Sequence, residues 1–246
     1  MTYGLISDIH GNLEALEAVL SQLEGAAGFL CLGDIVGYGP DPGACVDRVR
    51  ALPDLVCVAG NHDLAAVGQY NLDLFNPLAR EAIQWTSEQL SPEQHSYLAS
   101  LQLTVHVDRA LVVHGSLPDE MAYITTPQEA RGCFDAMPGD LTFVGHTHVA
   151  EYYTLRRKTR KTRLPEVTPL RSGGRVSLEA GLRYIVNPGA IGQPRDGNPA
   201  ASFGVWDLEA GTVETRRLEY DVERAQGKMR EAGLPEYLIE RLAVGR

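Results

Sequence analysis

The stretch Thr2-Tyr3-Gly4-Leu5-Ile6-Ser7-Asp8-Ile9-His10-Gly11-Asn12 opens as a short apolar run and closes on two side chains able to ligate a metal. Apolar runs of this length, bounded by glycine and polar residues, read as buried strands. A helix follows near 12–23, with Leu13, Leu16, Val19, Leu20 and Leu23 on one face and Asn12 placed to cap its first free amides. The order then repeats: a strand at 28–32, a Gly- and Pro-rich loop at 37–43, a helix near 44–51 and a strand at 55–59. Such a βαβαβ unit predicts a parallel sheet.

A strand that ends on a ligand side chain occurs five times. Asp8 and His10 follow 3–6, Asp34 follows 29–32, and Asn61 and His62 follow 55–59. His114 follows 110–113, and His146 and His148 follow 141–144. In open α/β sheets, ligands bind at the carboxyl ends of the strands. Five such ends can deliver Asp, His and Asn to one spot, which predicts a metal-dependent hydrolase. Five of the seven histidines stand at these ends, too many for unrelated structural roles. His95, on a polar helix face, and His106, within a strand, read as ordinary structural residues.

The remainder of the chain supplies two helices over 77–101, with Pro77 and Pro92 in first turns and Ser91 as a cap. Strands at 104–107 and 110–113 are joined by Asp108-Arg109, and a helix spans about 127–137. From 151 onward the pattern changes to short strands at 151–155, 183–186, 202–208 and 212–220, which predicts a second, more antiparallel sheet. The tail, 221–246, reads as two short helices broken at Gly233-Leu234-Pro235. No internal repeat or low-complexity linker divides the chain, so the expectation is a single domain over 1–246 that carries this helical tail.

With 246 residues, 44% hydrophobic and 22% charged, the chain can bury a sizeable core. Its net charge of −10 argues against a general nucleic-acid or membrane-surface binder. A metal cluster can still reverse the field locally for a small anionic substrate. Cys31, Cys45, Cys57 and Cys133 show no CxxC spacing, there is no signal-like leader, and no apolar stretch approaches the ~20 residues that span a bilayer. These features predict a cytoplasmic protein. The run at 156–163 carries six positive charges and no negative ones; it reads as a solvated hairpin arm, with a polyanion-holding arm as the alternative. Leu234, Leu238, Ile239 and Leu242 form a tail stripe expected to pack on its own domain, the alternative being a second copy in a homo-oligomer.

Two divalent cations ~3.5–4 Å apart can clamp the attacking and leaving oxygens of an in-line phosphoryl displacement. A shared carboxylate can face both ions, and Asp34 is the candidate bridge. Asp8 and His10 lie two apart, as do His146 and His148, so each pair points one way if strand geometry persists. Asn61 offers a neutral oxygen and His114 a further ring nitrogen. Few carboxylates among the ligands leave the pair of cations net positive, which suits a phosphate ester. Mixed N/O ligation fits Mn²⁺ or iron, with Zn²⁺, Co²⁺ or Ni²⁺ also suited.

Asp8-x-His10, Gly33-Asp34, Gly60-Asn61-His62-Asp63, His114-Gly115 and Gly145-His146-Thr147-His148, in that order, resemble the signature of the calcineurin-like metallophosphoesterases. The resemblance runs from residue 3 to about 208. Residues 37–42 (GYGPDP), Asn187-Pro188-Gly189 and Gln193-Pro194-Arg195-Asp196 are similar to its small bacterial and archaeal branch. It implies an α/β, four-layer αββα sandwich of two mixed sheets flanked by helices. It also implies that Asp8, His10, Asp34 and His148 hold one metal and Asp34, Asn61, His114 and His146 the other. His62 would assist the leaving group as the catalytic residue. Family phosphoprotein phosphatases carry a second Asp, which supports the catalytic His, where this chain has Gly37; their phosphate-contacting Arg is replaced by Tyr38. Asp63 is a candidate to orient His62, the alternative being that His62 acts without a carboxylate partner, and Arg195 and Tyr38 are candidate substrate contacts. The expected activity is that of a dinuclear phosphodiesterase or nucleotide phosphoesterase. The alternatives are a dinucleoside polyphosphate hydrolase, with the 156–163 arm on the extra phosphates, and a non-catalytic metal-binding scaffold.

Overall fold

In the computed structural model, which describes residues 1–160 and 162–246, β1 (Thr2–Ile6), β2 (Gly28–Cys31) and β3 (Leu55–Cys57) form the expected parallel trio. Between them lie α1 (Leu13–Ser21) and α2 (Pro42–Arg50). Asn12 caps α1, its Oδ1 accepting from the Ala15 amide at 3.1 Å. The second helix starts two residues before the expected 44 because Pro42 occupies its first turn, where a missing N–H costs nothing. Two elements follow in a region where none was expected: α3 (Asn61–Ala66) and a single turn at Leu72–Leu74. Then come α4 (Pro77–Gln89) and α5 (Pro92–Ala99), with Ser91 capping the latter.

The hairpin β4 (Thr104–Val107) and β5 (Ala110–Val113) leads through α6 (Pro127–Ala136) to β6 (Leu141–Phe143). Next in the chain are β7 (Glu151–Arg156), β8 (Glu166–Pro169), β9 (Gly174–Ser177), β10 (Leu182–Asn187), β11 (Ala201–Asp207) and β12 (Thr212–Leu218). The first sheet runs β3-β2-β1-β11-β12-β9 and the second β4-β5-β6-β10-β7-β8. The expectation that 151–220 builds a separate antiparallel sheet is therefore corrected. Those strands divide between the two sheets, each of which has a parallel trio continued by antiparallel strands. β8 and β9 carry no apolar alternation, Val176 being their one buried residue, so nothing in their sequence marks them as strands.

Period-2 alternation builds the layers. In β1, Leu5 faces the core between the sheets and Ile6 faces α1 and α2; in β10, Tyr184 and Val186 face inward while Ile185 packs under α6. The result is the αββα sandwich. Within it the parallel trios β1-β2-β3 and β5-β6-β10 each present their carboxyl ends to a shared rim.

The tail forms α7 (Val222–Glu231) and α8 (Glu236–Glu240). Its stripe is buried within the chain: Leu234, Leu238, Ile239 and Leu242 pack with Tyr38 and with Ala79 and Ala82 of α4. The stripe is thus not a face for a second copy. The basic segment lies away from the rim. Arg157 pairs with Asp140, which precedes β6, and Arg131 of α6 donates to the carbonyls of Arg160 and Arg163. His146 follows the other end of β6, so the partners of Arg157, Arg160 and Arg163 hold those residues on the side away from the ligands; Lys161 itself falls outside the described residues. No helix among the described residues is long and apolar enough to cross a membrane. The four cysteines are free thiols.

Candidate metal centre

β1 ends at Ile6, and beyond it the pleat is abandoned. Asp8 and His10 adopt φ of 52° and 51°, Asp34 55°, His146 65° and His148 60°. The shared direction of Asp8 and His10 therefore comes from left-handed turns and not from continued strand geometry. Each such residue costs about 1–2 kcal/mol relative to the right-handed region, and the ladder around it holds it there. The Asp8, His10 and Gly11 amides donate to the Gly33, Asp34 and Ile35 carbonyls at 2.9–3.0 Å.

These turns bring two groups of ligand atoms together: Asp8, His10, Asp34 and His148, and Asp34, His114 and His146. Within each group all atoms lie within 4.8 Å of one another, every residue is buried, and Asp34 belongs to both. Its Oδ2 lies 3.6 Å from His10 Nε2 and 3.3 Å from His114 Nε2. Asn61 starts α3 beside them, and its Oδ1 is buried without a partner.

The histidine tautomers decide whether these atoms suit a cation. His10 Nδ1 donates to the Val36 carbonyl at 3.0 Å, and His148 Nδ1 to the Gln193 carbonyl at 2.6 Å. Each ring then presents a lone pair at Nε2, and the two Nε2 atoms face each other at 3.1 Å with no proton between them. His114 Nδ1 likewise donates to the Leu32 carbonyl at 2.7 Å, and its Nε2 lies 3.0 Å from His146 Nδ1. Burial opposes charge on this ring, but the Asp34 and Asp8 carboxylates raise its pKa to about 10, so positive charge is favoured at this spot. The opposed lone pairs of His10 and His148 repel in a buried site unless an electrophile lies between them, and both ligand groups favour positive charge, so the donor set fits divalent metal ions. Burial drives the His10 and His148 rings toward their neutral, ligating forms. Burial opposes ionisation of Asp34, but the surrounding imidazoles, His114 foremost, hold its carboxyl well below the usual range.

Around the ligands, Ser7 Oγ donates to Asp8 Oδ2 at 2.6 Å and the His146 amide to Asp8 at 3.1 Å. Asn187, the last residue of β10 and the first of the Asn-Pro-Gly step, donates to Gly145 O and Thr147 Oγ1 and so shapes the turn that carries His146 and His148. A Cβ at Gly60 would lie 2.0 Å from Asp34 Oδ1, so this close approach requires glycine.

Asp63 does not orient His62. Its carboxylate accepts from the Asp34, Val36 and Gly60 amides at 2.8, 3.1 and 3.0 Å, stapling the loop that presents Asp34. Burial, then the nearby Asp34 charge, push its pKa up to about 7. Asp63→Ala strands three buried donors, and an unsatisfied buried donor costs about 1–3 kcal/mol. Denaturant unfolding is therefore expected to show a loss of about 3 kcal/mol or more, and an unchanged midpoint would refute this role.

His62 has no carboxylate partner: its Nδ1 is buried and unbonded, while its backbone amide donates to Asp34 Oδ1 at 2.9 Å. Burial, countered by Asp34, lowers its pKa to about 4. A Cβ at Gly37 would lie 2.4 Å from His62 Nδ1, so the packing leaves no room for an Asp side chain there. The ring opens instead on a cavity of about 660 Å³ lined also by Tyr38, Asn61, Phe75, Tyr123, His146 and Arg195. Arg195 lies over the Tyr38 ring and donates to Gln193 Oε1 at 3.0 Å. Tyr123, half exposed, stacks on His146 with ring centroids 3.8 Å apart. Nothing in the irregular segment 115–126 pointed to that tyrosine. His95, bonded to Ser87 O, and the exposed His106 stand outside the site.

Residues 1–211 match the Calcineurin-like phosphoesterase superfamily domain, and the chain belongs to that family. It is a phosphoester hydrolase whose Asp/His cluster suits divalent metals. An uncharacterized protein of Methanocaldococcus jannaschii is 37% identical over 250 aligned positions, covering 98% of this chain and 97% of that one. The crystal structure of a metallophosphoesterase from Sphaerobacter thermophilus is 45% identical, with a TM-score of 0.88 over 100% of this chain and 99% of that one. A hypothetical protein from Pyrococcus horikoshii shares the fold at 19% identity, with a TM-score of 0.78 and coverage of 100% and 98%.

Proposed function

We propose that this chain hydrolyses phosphodiesters or nucleotide phosphoesters by in-line displacement at a dinuclear centre. The supporting observation is the buried Asp34 carboxylate common to two ligand groups, in one of which the His10 and His148 lone pairs oppose each other. Asp8, His10, Asp34 and His148 would hold one ion, and Asp34, Asn61, His114 and His146 the other. When bound, two divalent cations supply Lewis-acid charge for the phosphoryl oxygens and acidify water. Asp34 fixes both halves of the site, and Asn61 contributes an oxygen without adding negative charge. His62, lining the cavity, would take up a proton when the negative ester binds, offsetting the effect of burial, and the imidazolium would pass that proton to the leaving oxygen. Arg195 and Tyr38 border the same space and orient the ester.

Mn²⁺ or iron is the proposed occupant, because N/O donors without thiolate favour neither soft nor purely oxygen-seeking metals. We place the protein in the cytoplasm, where its four free thiols would persist, and treat 1–246 as one functional unit. A dinucleoside polyphosphate reading loses its sequence argument, since the basic arm lies off the rim. A scaffold reading is disfavoured because every expected ligand position is filled and buried.

The test is turnover of bis(p-nitrophenyl) phosphate by protein loaded with Mn²⁺, abolished by chelation and restored by the metal. An ion at about one hundred times its Kd adds about 2.7 kcal/mol of stability. Chelation is thus expected to lower Tm by roughly 5–10 °C in a chain of this size. Elemental analysis that finds no metal, together with an unchanged Tm, would sink the proposal.

A further inference from the structure

The wall of the cavity opposite the ligands belongs to the tail. Arg241 begins the turn Arg241–Val244 after α8 and lines the same space as Arg195, with Tyr237 beside it. The tail holds it firmly: Leu242 is buried against Tyr38, and the Gly197 amide donates to the Gly245 carbonyl at 2.9 Å. Arg241 Nε donates to the Arg246 backbone oxygen, leaving both terminal nitrogens unbonded among the described residues. Arg195 has a buried Nε without a partner. Neither guanidinium meets an Asp or Glu carboxylate there, although the chain is acidic. Burial first, and then the neighbouring Arg195 charge, lower the pKa of Arg241.

Two divalent ions against Asp8 and Asp34 already leave the site positive. Two further guanidiniums exceed what a singly charged diester neutralises, and an arginine fork matches phosphate oxygens. Resting on the hydrolase reading above, we propose that Arg241, with Arg195, forms a subsite for a second phosphate, so that the chain selects diphosphate-bearing substrates such as nucleoside diphosphates. Arg241 lies beyond residues 1–211, which the family domain matches, and Arg195 lies within them.

Binding of methylenediphosphonate and of methylphosphonate to the Mn²⁺-loaded protein, measured by calorimetry, tests this without turnover. The wild type is expected to prefer the diphosphonate. Arg241→Gln is expected to reduce that preference about tenfold, the size of one charged hydrogen bond, and Arg241→Lys to restore part of it. If Arg241→Gln disturbs folding, seen as a lowered Tm, the lysine variant and the wild-type preference still decide. Equal affinity of the wild type for both ligands, or an unchanged preference in Arg241→Gln, would overturn the proposal. Because neither ligand can be hydrolysed, this outcome is separate from failure of the hydrolase reading.

Discussion

Asp34→Asn is expected to empty both metal positions and to lower kcat/KM on an aryl phosphodiester by about a thousandfold or more. Loss of a residue that merely supports a metal ligand costs about 10–100-fold, and Asp34 stands in both ligand groups at once. Its Oδ1 also accepts the His62 amide at 2.9 Å. Asparagine can keep that hydrogen bond through its own oxygen, so the fold around α3 should survive. Elemental analysis reads the effect directly: fewer than one ion per chain in the variant, against two in the parent. A variant that retained two ions would mean that Asp34 does not bridge.

His62→Ala should behave in the opposite way, with metal content preserved and turnover lost. General acid assistance contributes about 10²–10⁴-fold, and the ring lines the cavity, packed against His10, Tyr38 and Phe75, without belonging to either group of ligand atoms. The loss should deepen as the leaving group becomes more basic, because a nitrophenolate needs little protonation and an alkoxide needs much. A series of esters with graded leaving groups checks this. A loss equal across the series would assign His62 to stabilising charge on phosphorus oxygens, and loss of metal in the variant would remove it from catalysis altogether.

The strand-then-ligand pattern was legible because parallel strands end on one rim, and five of them carried unusual side chains to it. Helix caps at Asn12 and Ser91 were legible for a similar reason, since local hydrogen bonding alone decides them. Pairing between distant strands was not. β11 joins β1 through contacts spanning some two hundred residues, and no local pattern specifies which sheet receives it. α3 was hidden because its six residues are all buried, leaving no amphipathic contrast. Of the two readings for His62, adjacency in sequence made Asp63 a candidate partner, but the first turn of α3 aims its carboxylate at backbone amides and leaves His62 without one. Arg241 was out of reach for the sequence: it meets the cavity only because the tail folds back over Tyr38.

The left-handed backbone at positions 8, 10, 34, 146 and 148 has an evolutionary corollary. Glycine would relax every one of these turns, so a population screened for heat resistance in the presence of a chelator, where the stability lent by bound metal is already lost, should drift toward it there. The survivors would be sturdier and inert. Selection on catalysis must therefore act continually against this drift, and a directed-evolution campaign on this chain should hold those five codons constant while it varies the rest.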